Sequence, residues 1–533
     1  MKKYRSRLKK GRARLCLFCV FILFAVCCVS LSNIMLSKNA AAAARNNSSI
    51  SLNISTQRGQ ILDRRLRPLT EQEKGYYICA APTEHAVMSL KNILSGEKLE
   101  NALERLIDGK PIVFESDNET ALAGLTCVSV MKRYSGTAPH IIGYLGDDKR
   151  GVTGIEADFD EILYNGLSSK IRYTVDATGG VLPGVEPEIA LPIIIDNKVV
   201  LTLDREIQRI TEDVMSRVEC GAAVVSDIKT GEILAIVSRP DFDQNDVAAA
   251  LENDNAPLLN RALTKYNVGS VFKPIVVAAA LENGENEEIT VKCEGHVKIG
   301  ETEFVCHKAD GHGEIDIKGA LANSCNVFFY SLSAKPYFLE TLKISAMLGF
   351  TQDIPLSFGI TSGSGVLPSV KLLQIPAAAA NFSIGQGDLM LSPLQINSIY
   401  AAIANDGVYC VPILVKGVIT PEMNIDNPRT PEITAFSKAT ADKISEYLKL
   451  TVMSGTGTAA KSEKFEIAGK TATAQTGWYK KGSAVKQSWF AGFFPADEPK
   501  YALTVLVEDG TSGAANSAPL FLDIAEQIMS EAR

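Results

Sequence analysis

Residues 15–36 read LCLFCVFILFAVCCVSLSNIML, a run without a single charge, interrupted only by Ser and Asn. As an α-helix such a run is about 33 Å long, enough to cross a bilayer core of about 30 Å. Residues 1–14 precede it, with eight Lys or Arg and no acid. Basic residues on that side predict a cytoplasmic N-terminus and an extracytoplasmic body, a single-pass membrane protein. Two readings compete. A core helix would not carry such a flank, and a cleaved signal peptide has a shorter apolar region of about 7–15 residues, although Ala40–Ala44 supplies small residues of the cleavage type. Length favours an uncleaved anchor. Cys16, Cys19, Cys27 and Cys28 lie within it and act there as small apolar side chains.

The basic tip hides the sign of the rest. The chain carries −7 and the tip +8, so the remainder carries −15. Nucleic-acid binding needs clustered Lys and Arg, so no nucleic-acid partner is expected. At 533 residues the chain is long enough for two to four domains, and 22% charged residues is an ordinary globular value. Seven cysteines lie outside the apolar run, an odd number that leaves at least one unpaired within a monomer.

Residues 37–55 are polar, rich in Ala, Asn and Ser, and read as a linker. Residues 56–195 mix short strand-like runs with Gly turns and two amphipathic helices near 84–107 and 155–165. Pro183, Pro187 and Pro192 mark a junction. From 196 onward a strand is predicted over 199–204 and a helix over 205–218. Residues 222–238 form two apolar runs joined at Lys229-Thr230-Gly231, a hairpin signal. Strands over 465–475, 487–494 and 501–508 and a helix over 517–531 close the chain. Sequential strands joined by short turns predict an antiparallel sheet, with helices on both faces.

Three short constellations carry chemistry. Ser270-Val-Phe-Lys273 is one of six Ser-x-x-Lys matches, so the spacing alone means little. Only this one follows a Gly and opens an apolar helix with Pro in its first turn, where the missing N–H costs nothing. Positions i and i+3 share a face, so Lys273 is expected to reach the Ser270 hydroxyl. A Lys buried among apolar groups beside another cation loses its proton and can serve as a base. Ser324-Cys325-Asn326 offers a second hydroxyl and an amide after a helix. Lys470-Thr471-Ala472-Thr473 falls on a strand, whose edge can pair with an extended peptide. Taken singly, these residues read equally well as caps and solvated charges. Their order, in helix, loop and strand contexts, favours chemistry.

That ordered trio resembles the penicillin-binding proteins and serine β-lactamases. Further segments resemble the class B, monofunctional members of the division, elongation and sporulation type. RGQILDR (58–64), RYSGTAPHIIGYLG (133–146) and GVTGIEADFDEIL (151–163) resemble their pedestal. LTLDREIQ (201–208), TGEILAIVSRPDFDQN (230–245), NRALTKYNVGSVFKP (260–274), SIGQGDLMLSPLQ (383–395) and SWFAGFFPADEP (488–499) resemble their catalytic domain. The resemblance implies an α+β multidomain chain: a tail at 1–14, a transmembrane anchor at 15–36, a linker at 37–55, an elongated mixed α/β pedestal of the dimerisation type at 56–195, and at 196–533 a transpeptidase domain with a five-stranded antiparallel sheet flanked by helices. It implies a D,D-transpeptidase that cross-links peptidoglycan stem peptides, without a cofactor, and is acylated by β-lactams that mimic the D-Ala–D-Ala donor. Ser270 would be the nucleophile and Lys273 its base. Ser324 and Asn326 would assist proton transfer and leaving-group handling, and Lys470 and Thr471 would hold the donor carboxylate. N–H groups of Ser270 and Thr473 would form the oxyanion hole. The implied partner is a polytopic glycan polymerase of the membrane.

Two positions depart from the family pattern. Ala472 stands where Gly is usual, which implies altered fit rather than lost activity, and Val268 stands where Pro is common. Cys293 and Cys306 flank a short excursion and are candidates for a disulfide, with free thiols favoured over it. His296, His307 and His312 lie close by, but the spacing matches no standard zinc finger, and no metal is expected. Cys325 reads as a packed small residue. A Ser-His-Asp hydrolase is disfavoured because no His follows His312. A D,D-carboxypeptidase with water as acceptor, and a weak or inactive cell-wall scaffold, remain as alternatives.

Overall fold

The structure is a computed structural model that describes residues 2–36, 48–134, 136–190, 197–421, 424–426, 430–480 and 483–531. Helix α1 (Lys2–Leu36) joins the basic tip to the apolar run in one element. Within it, Gly11–Asn33 is long and apolar enough to cross a membrane, and is the only such helix among the described residues.

The chain divides into two units by packing. The first takes 1–57, 72–132 and 166–194. It holds two three-stranded sheets, one of Ser49–Arg58, Tyr164–Thr174 and Glu188–Ala190, the other of Ile112–Ser116, Glu71–Ala80 and Leu125–Tyr134. The helix expected over 84–107 is two helices, Glu84–Ile93 and Gly96–Ile107. Ser95 is extended and Gly96 is left-handed at φ +58°, a break no continuous helix tolerates.

The second unit takes 58–71, 133–165 and 195–533. Packing thus takes 58–71 and 133–165 out of the 56–195 segment and into the unit that holds Ser270, Lys273 and Lys470. Gln60–Leu62 pairs in parallel with Lys198–Leu201. Ile61, Ile141, Ile155 and Leu163 share one apolar cluster with Val199, Leu201 and Val224. Buried Arg58 spans the two segments, donating to Glu156 Oε2 at 2.9 Å and to Asp160 Oδ1 at 2.7 Å. The helix expected over 155–165 is two short ones, Gly154–Asp158 and Asp160–Leu163, before the strand that begins at Tyr164.

Helix α2 (Arg205–Met215) leads into strands β1 (Gly221–Asp227) and β2 (Ile233–Arg239), the predicted hairpin. Helix α3 (Lys273–Glu282), α4 (Asn326–Leu332), α5 (Pro393–Ala404) and α6 (Lys438–Met453) follow. Strands β3 (Ala468–Lys480), β4 (Ser483–Phe494) and β5 (Tyr501–Glu508) and helix α7 (Ala518–Glu531) close the unit. The five strands form one antiparallel sheet in the order β2-β1-β5-β4-β3, so β3 is an edge. Alternate side chains serve opposite faces. Trp489, Ala491 and Phe493 join the core around α3 and α5, whereas Phe490 and Phe494 join that around α2 and α7.

Arg58 yields a stability test. Its removal takes the ion-pair partner from buried Glu156 and one of two cations from Asp160, which keeps Arg150. Arg58→Met is expected to lower the unfolding free energy by about 3–5 kcal/mol, the usual cost of breaking a buried pair. Urea denaturation followed by tryptophan fluorescence measures it; a loss below about 1 kcal/mol, the surface-pair value, contradicts the role given to Arg58.

Candidate active site

The turn before α3 is a short 3₁₀ segment, Gly269–Phe272, which sets half-buried Ser270 one turn ahead of Lys273. Gly269 has φ +67°, and a Cβ there would stand 3.4–3.5 Å from the methyls of Ala474 and Ala472. The positive φ is what calls for glycine, since contacts of that length are ordinary van der Waals ones. The turn is clamped from three sides. Gly269 N–H donates to Gly385 O at 2.8 Å, Tyr400 Oη of α5 donates to Val271 O at 2.9 Å, and Trp489 Nε1 of β4 donates to Asn267 O at 3.0 Å.

Helix α3 is apolar on every face from Pro274 to Leu281, so Pro274–Ala280 lie in the core and take the lysine in with them. Lys273 Nζ donates to Ser324 O at 2.9 Å, Ser324 Oγ at 3.2 Å and Asn326 Oδ1 at 2.8 Å, and sits 4.8 Å from the centre of the Phe329 ring. Ser324 holds φ +55°, a left-handed conformation uncommon for a non-glycine residue, and this turns both its carbonyl and its hydroxyl onto one amine. The first two constellations are therefore one hydrogen-bonded group. The sequence predicts a Lys273–Ser270 contact. Among the described hydrogen bonds there is none, because all three donor directions of the ammonium are taken up by the Ser324–Asn326 turn. Asn326 Nδ2 is bonded to nothing described.

Lys470 on edge strand β3 is also fully buried. Its Nζ donates to Thr471 O at 3.2 Å and Thr456 Oγ1 at 3.4 Å, and Thr471 Oγ1 lies 3.0 Å from Thr456 Oγ1. Thr471 and Ala472 are buried, while Thr473 is exposed and accepts from Gly513 N–H at 3.2 Å. Ala472 faces Gly269 on one side of the strand, and Gly513 lies over its backbone on the other. Sequence reasoning missed Thr456, whose only signal was the small-residue cluster Ser454–Thr458 after α6, and gave no role to the loop of Gly385 and Gln386.

The electrostatics follow from burial. Desolvation lowers the Lys273 ammonium from its usual range to about 7. Lys470 is pushed well below the usual lysine range, by desolvation first and the Lys273 charge second. Burial alone lowers Lys273, and the neighbouring charge acts on Lys470.

A family profile described as "Penicillin binding protein transpeptidase domain" matches residues 221–529, more than half of the chain. The chain belongs to the class B penicillin-binding proteins. Stage V sporulation protein D of Bacillus subtilis strain 168 is 27% identical, over 93% of this chain and 82% of that protein. The peptidoglycan D,D-transpeptidase FtsI of Buchnera aphidicola subsp. Schizaphis graminum is 28% identical, over 77% of this chain and 71% of that one. A solved structure described as "Structural coordination of polymerization and crosslinking by a peptidoglycan synthase complex" matches at TM-score 0.71 and 24% identity, over 96% of this chain and 98% of that one. The PBP2 chain of a Helicobacter pylori PBP2–MreC complex matches at TM-score 0.66 and 23% identity, over 91% of this chain and 99% of that one. At these identities the structural matches establish the fold of this class B penicillin-binding protein.

Titration tests the lysine. The neutral amine, the form able to take a proton, predominates above about pH 7. Acylation of Ser270 by a β-lactam is expected to rise with pH through a midpoint near 7, and Lys273→Arg to lower the rate by about 10²–10⁴-fold with no such rise. The folded value lies below the unfolded one, so the native state binds fewer protons between about 7 and about 10.4 and gains stability as pH rises across that window. Stopped-flow acylation across pH 5.5 to 9 reads the first effect, and a flat profile contradicts it.

Proposed function

We propose that this class B penicillin-binding protein cross-links peptidoglycan stem peptides through an acyl-enzyme on Ser270. The observation that carries the reading is the buried Lys273 amine, one turn from Ser270 and bonded to both Ser324 and Asn326. In the neutral state the amine keeps a lone pair, and the Ser324 hydroxyl can donate to it. Ser270 Oγ attacks the carbonyl carbon of the penultimate D-Ala as its proton passes to Lys273. The oxyanion forms opposite the N–H of Ser270, in a first helical turn where N–H groups lack partners, and that of Thr473. The C–N bond then breaks, and the leaving amine of the terminal D-Ala takes the proton from Lys273 through Ser324. An acceptor amine attacks the ester, loses its proton along the same path and restores Ser270.

Strand β3 supplies the donor site. Its free edge suits an extended peptide, whose backbone continues the sheet. A donor carboxylate near Thr471 restores the charge on Lys470 that burial disfavours, so binding and ionisation reinforce each other. The free Asn326 amide suits the carbonyl of the donor peptide. β-Lactams acylate the same serine. The acidic body, the basic tip and the apolar helix support a single-pass protein with its N-terminus in the cytoplasm. Its partner is a polytopic glycan polymerase, engaged through the anchor and pedestal.

Fluorescent-penicillin labelling of wild type and Ser270→Ala tests the acyl-enzyme: labelling is expected in the first and none in the second. A wild type that stays dark while a control protein labels contradicts the reading. Supplying an acceptor amine with a pentapeptide donor separates transfer from hydrolysis, with transfer expected to dominate.

Ala472 packs one methyl against Gly269. A methyl is worth about 0.8 kcal/mol, so Ala472→Gly is expected to change the acylation rate by less than about tenfold. Inactivation by that substitution, measured as second-order acylation, contradicts the packing role.

A further inference from the structure

The nucleophile turn follows a very short strand. Tyr266–Asn267 pairs antiparallel with Met390–Leu391, a ladder of two residues just ahead of Ser270. A ladder that short is marginal by itself. The turn takes its position from buried side chains behind it. Tyr266 is buried, and its ring packs edge-on against Trp489, with centroids 6.2 Å apart at 78°. Trp489 is fully buried and serves two elements at once. Its backbone pairs with Ala472 of β3, and its indole donates to Asn267 O at 3.0 Å. The spacing between Ser270 and the strand of Thr473 therefore runs through this one side chain.

Behind Tyr266 stands Glu508, the last residue of β5. Tyr266 Oη donates to Glu508 Oε1 at 2.6 Å, and Arg261 Nε donates to the same oxygen at 2.8 Å. A buried tyrosine needs a partner for its hydroxyl, and a carboxylate is a strong one. Desolvation first and the Glu508 charge second hold the Tyr266 hydroxyl well above its usual range, so it stays a donor. Arg261 is buried as well, and its two other nitrogens grip the chain: Nη1 donates to Ala256 O at 3.1 Å and Nη2 to Asn255 O at 2.7 Å. Its backbone N–H donates to Ser238 Oγ of β2 at 3.0 Å. The guanidinium is thus anchored, and it fixes the carboxylate that it faces.

We propose that Glu508 is a positioning residue for acylation: it sets Ser270 through Tyr266 and Trp489, and Arg261 holds it in place. The inference rests on the acyl-enzyme reading of Ser270. Ser270 Oγ must stand in line with the donor carbonyl, opposite the N–H of Thr473, and a displacement of about 1 Å in such an alignment costs about 10²-fold in rate. Glu508 acts on that alignment from two strands away, since β5 pairs with β4 and β4 with β3. Among the described hydrogen bonds, none joins Tyr266, Trp489 or Glu508 to the Lys273 amine. The two halves of the machinery are therefore separable. Burial sets the protonation of Lys273, and the Arg261–Glu508 pair sets the place of Ser270. In the sequence Glu508 reads only as the polar end of a strand, because its partners come from a distant segment.

Full-length protein in detergent, acylated by a chromogenic β-lactam over a range of concentrations, gives the limiting rate and the half-saturating concentration separately. Tyr266→Phe removes one oxygen and keeps the ring. It is expected to lower the limiting rate about 10–100-fold, with half-saturation as in wild type and the pH midpoint still near 7. Glu508→Ala is expected to lose as much, and Glu508→Gln, which keeps one oxygen for both donors, to regain most of it. The double variant Tyr266→Phe with Glu508→Ala is expected to be no slower than the slower single variant, since both cut one link. Tyr266→Phe as fast as wild type, a loss confined to half-saturation, a shifted pH midpoint, or losses that multiply in the double variant overturn the relay while acylation of Ser270 in wild type stands. A wild type that acylates on no serine overturns the acyl-enzyme reading, and the relay with it.

Discussion

The burial of one amine organises the catalytic unit. Lys273 lies at the start of a helix whose next seven residues are all buried, so the charge cannot reach water and must find partners inside. It finds them in the carbonyl and hydroxyl of Ser324 and the amide oxygen of Asn326. An isolated buried ammonium is costly, and the group responds by lowering its pKa and by hydrogen bonding. Much of the local architecture reads as a means to that end. The left-handed Ser324 aims two acceptors at one nitrogen, Phe329 offers its ring face, and Lys470 brings a second buried amine from the sheet edge.

Ser270 is held by different forces from those that hold Lys273. Ser270 belongs to a tight 3₁₀ turn fixed by hydrogen bonds that Tyr400 and Trp489 donate and that the Gly385 carbonyl accepts, three points spread widely along the chain. Gly269 lets the turn press against Ala472 and Ala474 on β3. A helix start, a loop and an edge strand thus meet within one small volume, and none of them carries the site alone. The five-stranded sheet sets their spacing, and the cores on its two faces keep it rigid.

Much of this was legible in the sequence. Apolar alternation and turn residues marked all five strands, and the Ser-x-x-Lys, Ser-x-Asn and Lys-Thr order marked the site, because these signals are local. What escaped depends on contacts between distant segments. Arg58 and the 133–165 segment read as pedestal, but a buried ion pair and a parallel strand pairing draw them into the catalytic unit. The helix near 84–107 kept its amphipathic period across Ser95 and Gly96, so only the backbone shows the break. Thr456 was hidden in a turn.

The most direct measurement of the account is the location of the covalent adduct. Wild type treated with benzylpenicillin, digested and sequenced by tandem mass spectrometry should carry a single penicilloyl ester on Ser270, and Lys273→Ala treated alike should carry almost none. An adduct on Ser324 or another serine, or full modification of Ser270 without the Lys273 amine, would contradict it.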